Sequence, residues 1–196
     1  MAEAIVKTNK GPADAFSRSG NTGMPEKRKK REGAVSEYKK SLKEKQAMKQ
    51  LYGLSEKQFK RYVLEALEKM ARVENVSDEL VKSLERRLDN VIFRLNFAAT
   101  RAHARQLVSH AYFLVNGKPV NIPSFQVKKG DVITIKESKK NKAVFKELAA
   151  TLKKMEPHAW LTVDKNSFEG KAIGLPNLAE VSPPVEISLI FEFYSR

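Results

Sequence analysis

An Asn116-Gly117 dipeptide separates the apolar run Tyr112-Phe113-Leu114-Val115 from a second run beginning at Val120, and no other feature of the chain narrows its fold as much. A type I′ hairpin turn needs positive φ at both central residues, and Asn-Gly adopts it with the least strain. The dipeptide therefore predicts two antiparallel strands. Lys129-Gly130-Asp131 adds a turn into a further strand, Val132-Ile133-Thr134-Ile135. Ahead of the hairpin, Ala104, Leu107, Val108 and Ala111 fall on one side of a helical wheel, with Arg101, Arg105, Gln106, Ser109 and His110 on the other. A short helix from Thr100 to His110 would pack by the first face and present the second.

Upstream, Ser36 can cap a helix running to about Gln50, which Gly53 ends through a tight turn. Ser55-Glu56-Lys57-Gln58 is a capping box, and Phe59, Val63, Ala66, Leu67 and Met70 behind it mark one helical face. Ser77 or Asp78 starts the next helix. Its stripe of Leu80, Leu84, Leu88, Ile92 and Leu95 continues for about four turns. Downstream, Phe145, Leu148, Leu152 and Met155 predict a helix stopped by Pro157, then two terminal strands, Trp160–Val163 and Ile187–Tyr194. The class is α+β. Residues 1–33 form an extended basic arm, disordered when free; 34–86 and 143–196 form a helical domain with terminal helix and strands; 87–142 form a compact helix-helix-strand-hairpin module.

Charge is distributed unevenly along this plan. The whole chain carries +14 with a pI near 9.9. Met24–Arg61 holds 13 basic and 5 acidic residues and Arg101–Lys142 holds 9 and 2, whereas Tyr62–Thr100 holds 6 and 7. Two blocks thus form a footprint for a polyanion, nucleic acid above all. Pro157–Arg196, with 3 basic and 5 acidic residues, is suited to face protein instead. Thr100 at a helix N-terminus makes an anion site, and Arg101 and Arg105, one turn apart, can each engage a phosphate bidentately. Lys118, Lys128 and Lys129 fall at turns of the same module, and Lys27-Arg28-Lys29-Lys30-Arg31 supplies a flexible electrostatic arm. Lys45, in the first block, joins the candidates. No zinc finger, basic zipper or helix-turn-helix is present, so a folded RNA read by shape is the better match than duplex DNA.

Other chemistries lack their residues. There are 0 cysteines and 3 histidines, His103, His110 and His158, at spacings that build no metal site. Phosphate-loop, GxGxxG and GxSxG motifs are missing, which predicts no cofactor, no metal and no enzyme. Trp160, Phe191 and Phe193 read as packing residues. No apolar run reaches the length of a membrane span and Met1–Gly23 lacks a secretory apolar region, so the expected location is the cytoplasm.

The residues from Arg87-Leu88-Asp89-Asn90-Val91-Ile92-Phe93-Arg94-Leu95 through Ala98-Ala99-Thr100-Arg101, Ala104-Arg105-Gln106-Leu107-Val108-Ser109-His110, Val115-Asn116-Gly117-Lys118 and Val120-Asn121-Ile122-Pro123-Ser124 closely resemble the bacterial small-subunit ribosomal protein S-four family. Leu51-Tyr52-Gly53 and Glu56-Lys57-Gln58-Phe59 before them, and Trp160-Leu161, Glu169-Gly170 and Phe191-Glu192-Phe193-Tyr194-Ser195 after them, extend the likeness over about Arg31–Arg196. The resemblance implies a primary binder of small-subunit ribosomal RNA that nucleates assembly of the subunit body. It also implies contacts with the fifth, twelfth and third small-subunit proteins, a part in decoding accuracy, and a place near the messenger RNA entrance channel. No obligate homo-oligomer is implied. RNA contacts carried over on matching positions are Arg87, Arg94, Thr100, Arg101, Arg105, Gln106, His110, Asn116, Lys118 and Lys128. The chain departs from the pattern at Asn96, where the family commonly has Gly, and at Ala111-Tyr112, where Gly-His is frequent. The cysteine knuckle of some members is also absent.

Two rivals share the module. Pseudouridine synthases use an Arg-Leu-Asp aspartate, but Arg87-Leu88-Asp89 lies before the module and inside an amphipathic helix, where Asp89 is expected to pair with Arg86 or cap a loop. A free regulatory or stress RNA-binding protein would need neither the preceding helices nor the acidic terminal segment. A membrane-surface role would rest on charge alone, since the basic helices lack aromatic anchors. On the RNA-binding reading, replacing Arg101 and Arg105 together by Ala should weaken RNA binding and leave thermal unfolding nearly unchanged.

Overall fold

Three helices of the protein end the same way, and that ending fixes how the chain turns. In the computed structural model, which describes residues 36–142, 145, 152, 157–164 and 167–195, α1 (Glu37–Leu51) starts at Ser36, whose side chain accepts from Lys39 N. It closes with Gly53 N–H on the Gln50 carbonyl and Leu54 N–H on that of Lys49, both at 3.0 Å. Gly53 sits at φ 60°, the left-handed conformation this pair of bonds requires. α2 (Glu56–Glu68) carries the full Ser55–Gln58 capping box. Its buried face is Phe59, Tyr62, Val63 and Ala66; Met70, expected on that face, lies past the helix end and is 64% exposed.

α3 (Val76–Glu85) is capped by Asn75, whose Oδ1 accepts from Ser77 N and Asp78 N, two or three residues before the expected start. The predicted four-turn stripe is not one helix. It breaks at Arg86-Arg87 and resumes as α4 (Leu88–Arg94), because the 123–127 segment fills the break. Leu88 N–H and Asp89 N–H donate to the carbonyls of Phe125 (2.8 Å) and Pro123 (3.2 Å), and Val127 N–H donates to that of Arg86 (2.8 Å). All five stripe leucines and isoleucines are nonetheless buried.

α4 ends at Asn96 (φ 61°) and α5 (Arg101–Ser109) at Ala111 (φ 52°), each with the hydrogen-bond pair seen after α1. The Asn is well suited to that conformation, whereas the methyl of Ala111 is not. Ala111→Gly is therefore expected to stabilise the protein by about 1 kcal/mol, strain relief outweighing the added freedom of the unfolded chain. A higher urea midpoint with unchanged slope is the result to look for.

The hairpin forms as predicted: β1 (Phe113–Val115) and β2 (Lys118–Pro119) flank Asn116 (φ 50°) and Gly117 (φ 77°). β3 (Val132–Ile135) pairs with β1 and leads into the short α6 (Glu137–Lys140). β4 (Leu161–Asp164) and β5 (Glu169–Ala172) complete a five-stranded antiparallel sheet in the order β2-β1-β3-β5-β4. β5 is a strand the sequence did not announce. The segment 187–194, expected as a strand, is helical: α7 (Leu178–Val181) precedes α8 (Ile187–Ser195). Ile187, Ile190, Phe191 and Tyr194 follow the helical period and pack on the core of α1–α3, which outweighs their β propensity. The expected arm over residues 1–33, and the expected helix positions Leu148 and Met155, lie outside the described residues.

Two apolar cores result. One gathers α1, α2, α3 and α8 around Met48, Phe59, Val63, Leu80, Leu84 and Ile190. The other gathers α4, α5 and the sheet around Leu88, Ile92, Leu107, Phe113, Ile133 and Leu161.

Candidate nucleic-acid interface

α5 is positioned by its cap, where Thr100 Oγ1 accepts from His103 N at 3.1 Å. Ala104, Leu107 and Val108 face the module core, and Gln106 and His110 are exposed, as the wheel predicts. Its two arginines behave differently. Arg105 turns back toward the helical half, donating from Nε to Asp89 Oδ2 (2.9 Å), from Nη2 to the Tyr52 carbonyl (3.1 Å), and from Nη1 to the Gly53 carbonyl. Arg101 donates from Nε to Asn90 Oδ1 (2.7 Å) and lays its guanidinium over Phe93 (4.4 Å) and Tyr52 (5.1 Å).

These contacts belong to a continuous polar layer. Glu85, 0% exposed, accepts from Tyr52 OH (2.7 Å), from Asn90 Nδ2 (2.7 Å), and from Arg94 at Nε (2.9 Å) and Nη2 (2.8 Å). Asp89, 2% exposed, accepts from Arg87 at Nε (3.1 Å) and Nη2 (2.7 Å) besides Arg105. Arg87 also donates to Tyr62 OH at 2.9 Å. The carboxylate of Asp89 thus pairs with Arg87 and Arg105, and not with Arg86 as expected. Arg86 instead donates from Nε to the Val127 carbonyl at 2.8 Å.

The electrostatics follow from this geometry. Burial pushes the Glu85 carboxyl up, but the hydrogen bonds and charge of Arg94, with Tyr52 and Asn90, outweigh it and hold the group below the usual carboxylate range. Burial and then the Glu85 carboxylate push the Tyr52 hydroxyl up. Burial and then the charge of Arg94 hold the His158 ring below its ordinary pKa. Since a guanidinium only donates, His158 Nε2 accepts from Arg94 Nη1 (3.0 Å), which places the ring proton of neutral His158 on Nδ1.

The predicted contact residues therefore divide. Arg87, 2% exposed, is no surface cation. Lys45, 6% exposed, is withdrawn likewise: its Nζ lies 2.7 Å from Glu56 Oε1 and 4.4 Å from the Phe193 ring centroid. Burial works to raise the Glu56 carboxyl, but hydrogen bonds from Lys45, Tyr194 and Lys49 bring it down to about 2. Arg101 and Arg105 are half-buried and engaged inwards, which corrects the expected free basic face of α5, and Arg94 of α4 is half-buried and engaged inwards likewise. The solvent side keeps Thr100, Gln106, His110, Asn116, Lys118, Lys128 and Lys129.

Asp131 gathers the last of these. Its Oδ1 accepts from Asn116 Nδ2 (2.9 Å) and its Oδ2 from Lys128 N (2.7 Å), while Asn116 Oδ1 accepts from Val132 N (2.9 Å). The β1–β2 turn and the 128–131 turn are thereby held together, bringing Lys118, Lys128 and Lys129 to one end of the sheet. Asn116 itself is a brace there, with both side-chain atoms in use. Sequence reading did not single out Lys57 and Lys60 on the exposed side of α2, although the segment charge count contains them. Lys27, Arg28, Lys29, Lys30 and Arg31 lie outside the described residues. Among the described residues no cluster of His, Asp and Glu could hold a metal ion, and no helix is long and apolar enough to cross a membrane.

Comparison with known proteins meets the same division of the chain. Residues 7–85 match the family model described as Ribosomal protein S4/S9 N-terminal domain, and residues 86–133 match the S4 domain, the boundary falling at the α3–α4 break. The small ribosomal subunit protein uS4A of Symbiobacterium thermophilum is 47% identical over 162 residues, covering 82% of this chain and 76% of that protein. The uS4 protein of Halothermothrix orenii is 45% identical over 167 residues, 85% and 79% of the two chains. That of Sulfurihydrogenibium sp. is 46% identical over 180 residues, 90% and 83%. Identity at this level over most of both chains, on top of a helical half joined to an S4 domain, means that this chain belongs to the uS4 family of small ribosomal subunit proteins.

Proposed function

We propose that the chain is a structural, non-catalytic constituent of the small ribosomal subunit that works by binding the subunit's RNA. The observation that carries this reading is the solvent face of the module: the cap at Thr100, Gln106 and His110 on α5, and the lysines that Asp131 draws to one end of the sheet. Lys118, Lys128 and Lys129 meet phosphates as point charges. Thr100, Gln106 and His110 supply the hydroxyl, amide and imidazole that suit phosphate and 2′-hydroxyl oxygens. The basic run Lys27–Arg31 adds contacts from the N-terminal side. Binding here, early in assembly, nucleates the body of the subunit. The acidic C-terminal segment supports contact with neighbouring proteins, of which the fifth, with the twelfth and third, is the set the family reading names. A role in decoding accuracy and proximity to messenger RNA at its entrance belong to the same reading.

Two measurements test it. In sucrose gradients of cell lysate the protein is expected to travel with the small subunit and to stay there in high salt; residence at the top of the gradient overturns the proposal in favour of a free RNA binder. With purified protein and a transcript of the small-subunit RNA, log K should fall with log salt by about 0.7–0.9 per phosphate engaged. A flat response removes the electrostatic mechanism.

A further inference from the structure

Four arginines that a charge-based reading aims at RNA lie in the polar layer between the two apolar cores. We propose that Asp89 and Arg105 are positioning residues that lock the helical half and the S4 module in one orientation, so that the two basic surfaces meet the RNA already aligned. The inference rests on the RNA-binding reading above and deepens it.

The link is direct. Tyr52 and Gly53 belong to the turn between α1 and α2, in the helical half, and their carbonyls receive two of the Arg105 nitrogens. Arg105 stands on α5 of the module, and its third nitrogen reaches Asp89 on α4. Asp89 in turn holds Arg87, whose Nη1 returns to Tyr62 on α2. Each bond has a direction, and the guanidinium plane is fixed at three points. An apolar contact of the same area would tolerate sliding, while this network does not. Buried ionic networks add little net stability compared with apolar packing, and their best-attested use is to specify one arrangement. Here the network ties α2, which carries the exposed Lys57 and Lys60, to the module that carries the lysines of the sheet end, and both surfaces must match a folded RNA together. Fixing their separation beforehand removes an ordering cost from the binding step.

The proposal and a direct-contact role give opposite signs. Asp89→Asn removes a negative charge, and if Arg105 served RNA its release would leave binding equal or tighter. Positioning predicts binding about tenfold weaker or worse, with the salt slope unchanged. Arg105→Gln should likewise weaken binding without altering the slope, whereas loss of a phosphate contact reduces the slope by about 0.7–0.9. The double variant should bind about as the weaker single one does, because both act through one link. Titration against excess transcript gives the active fraction, so a fall in folded protein is separated from a fall in affinity.

The chain has 0 cysteines, so Lys60→Cys and Lys118→Cys allow paired spin labels in the otherwise unaltered protein. Their distance distribution should broaden in Asp89→Asn and in Arg105→Gln. An unchanged distribution, tighter binding by Asp89→Asn, or a reduced slope in Arg105→Gln overturns the proposal; if Asp89→Asn does not fold, the slope and label distances of Arg105→Gln decide alone. Failure of the parent protein to bind the transcript in a salt-dependent way overturns the RNA-binding reading itself.

Discussion

Replacing Arg94 by methionine is expected to destabilise the protein by about 3–5 kcal/mol, because it leaves the Glu85 carboxylate in place without its cation. Glu85 is 0% exposed, and Tyr52 and Asn90 alone would remain as donors. Urea unfolding at neutral pH measures the loss. In the parent, Glu85 has a lowered folded pKa. It contributes stability that is complete above the ordinary carboxylate pKa and fades as pH falls through the lowered value. In the variant, burial dominates and raises that pKa, so the folded protein favours the neutral acid. The deficit relative to the parent should therefore shrink between about pH 7 and about pH 5. A deficit constant across that range would show that burial does not push the Glu85 carboxyl up once Arg94 is gone. Adding Glu85→Gln to Arg94→Met should recover much of the loss, since both charges then leave together. The joint replacement of Arg101 and Arg105 by Ala follows the same logic. It should lower thermal stability appreciably, contrary to what the helical wheel of α5 suggests.

Gly170→Ala is the second large effect. A β-carbon on Gly170 overlaps Leu95 Cδ1 and comes within 2.9 Å of Cδ2 and 3.2 Å of Cγ, so the whole isobutyl group would have to move. Leu95 is 1% exposed within the module core and has nowhere to go. Overpacking of this kind costs about 2–3 kcal/mol. Leu95→Ala opens the space, so combining it with Gly170→Ala should cost less than the two single losses added together. Simple additivity in urea unfolding would mean that the contact is not what makes the glycine necessary.

The same two features show what could and could not be read beforehand. Caps and turns were legible because their chemistry is local: Ser36, the Ser55–Gln58 box, Thr100 and Asn116-Gly117 each act on a backbone within three residues. β5 was not, since Glu169-Gly170-Lys171-Ala172 has a composition poor in strand formers and gains its place by pairing between β3 and β4, with Leu95 seated over Gly170. Over α8 the pattern is ambiguous, since Ile187, Leu189, Phe191 and Phe193 alternate as a strand does, while Ile187, Ile190, Phe191 and Tyr194 also match a helix; α1 and α2 decide between them. For the arginines a sign was available. Glu85 and Asp89 fall among Leu84, Leu88 and Ile92 in a stretch that must be buried, and buried carboxylates require cationic partners. Read that way, Arg87, Arg94 and Arg105 are claimed before RNA arrives, and the lysines at the turns carry the surface charge.

The seating of α8 on the first helices bears on how the chain matures during its own synthesis. The core of α1–α3 contains Ile187 and Ile190, so it stays open on one side until residues nearly two hundred positions along have been translated. The module's core, by contrast, draws its described members from residues 88–172 and can close earlier. A nascent chain translated as far as residue 172 therefore holds every described member of the module's core, while the helical core still lacks Ile187 and Ile190. Such uncovered surface favours aggregation in a growing chain.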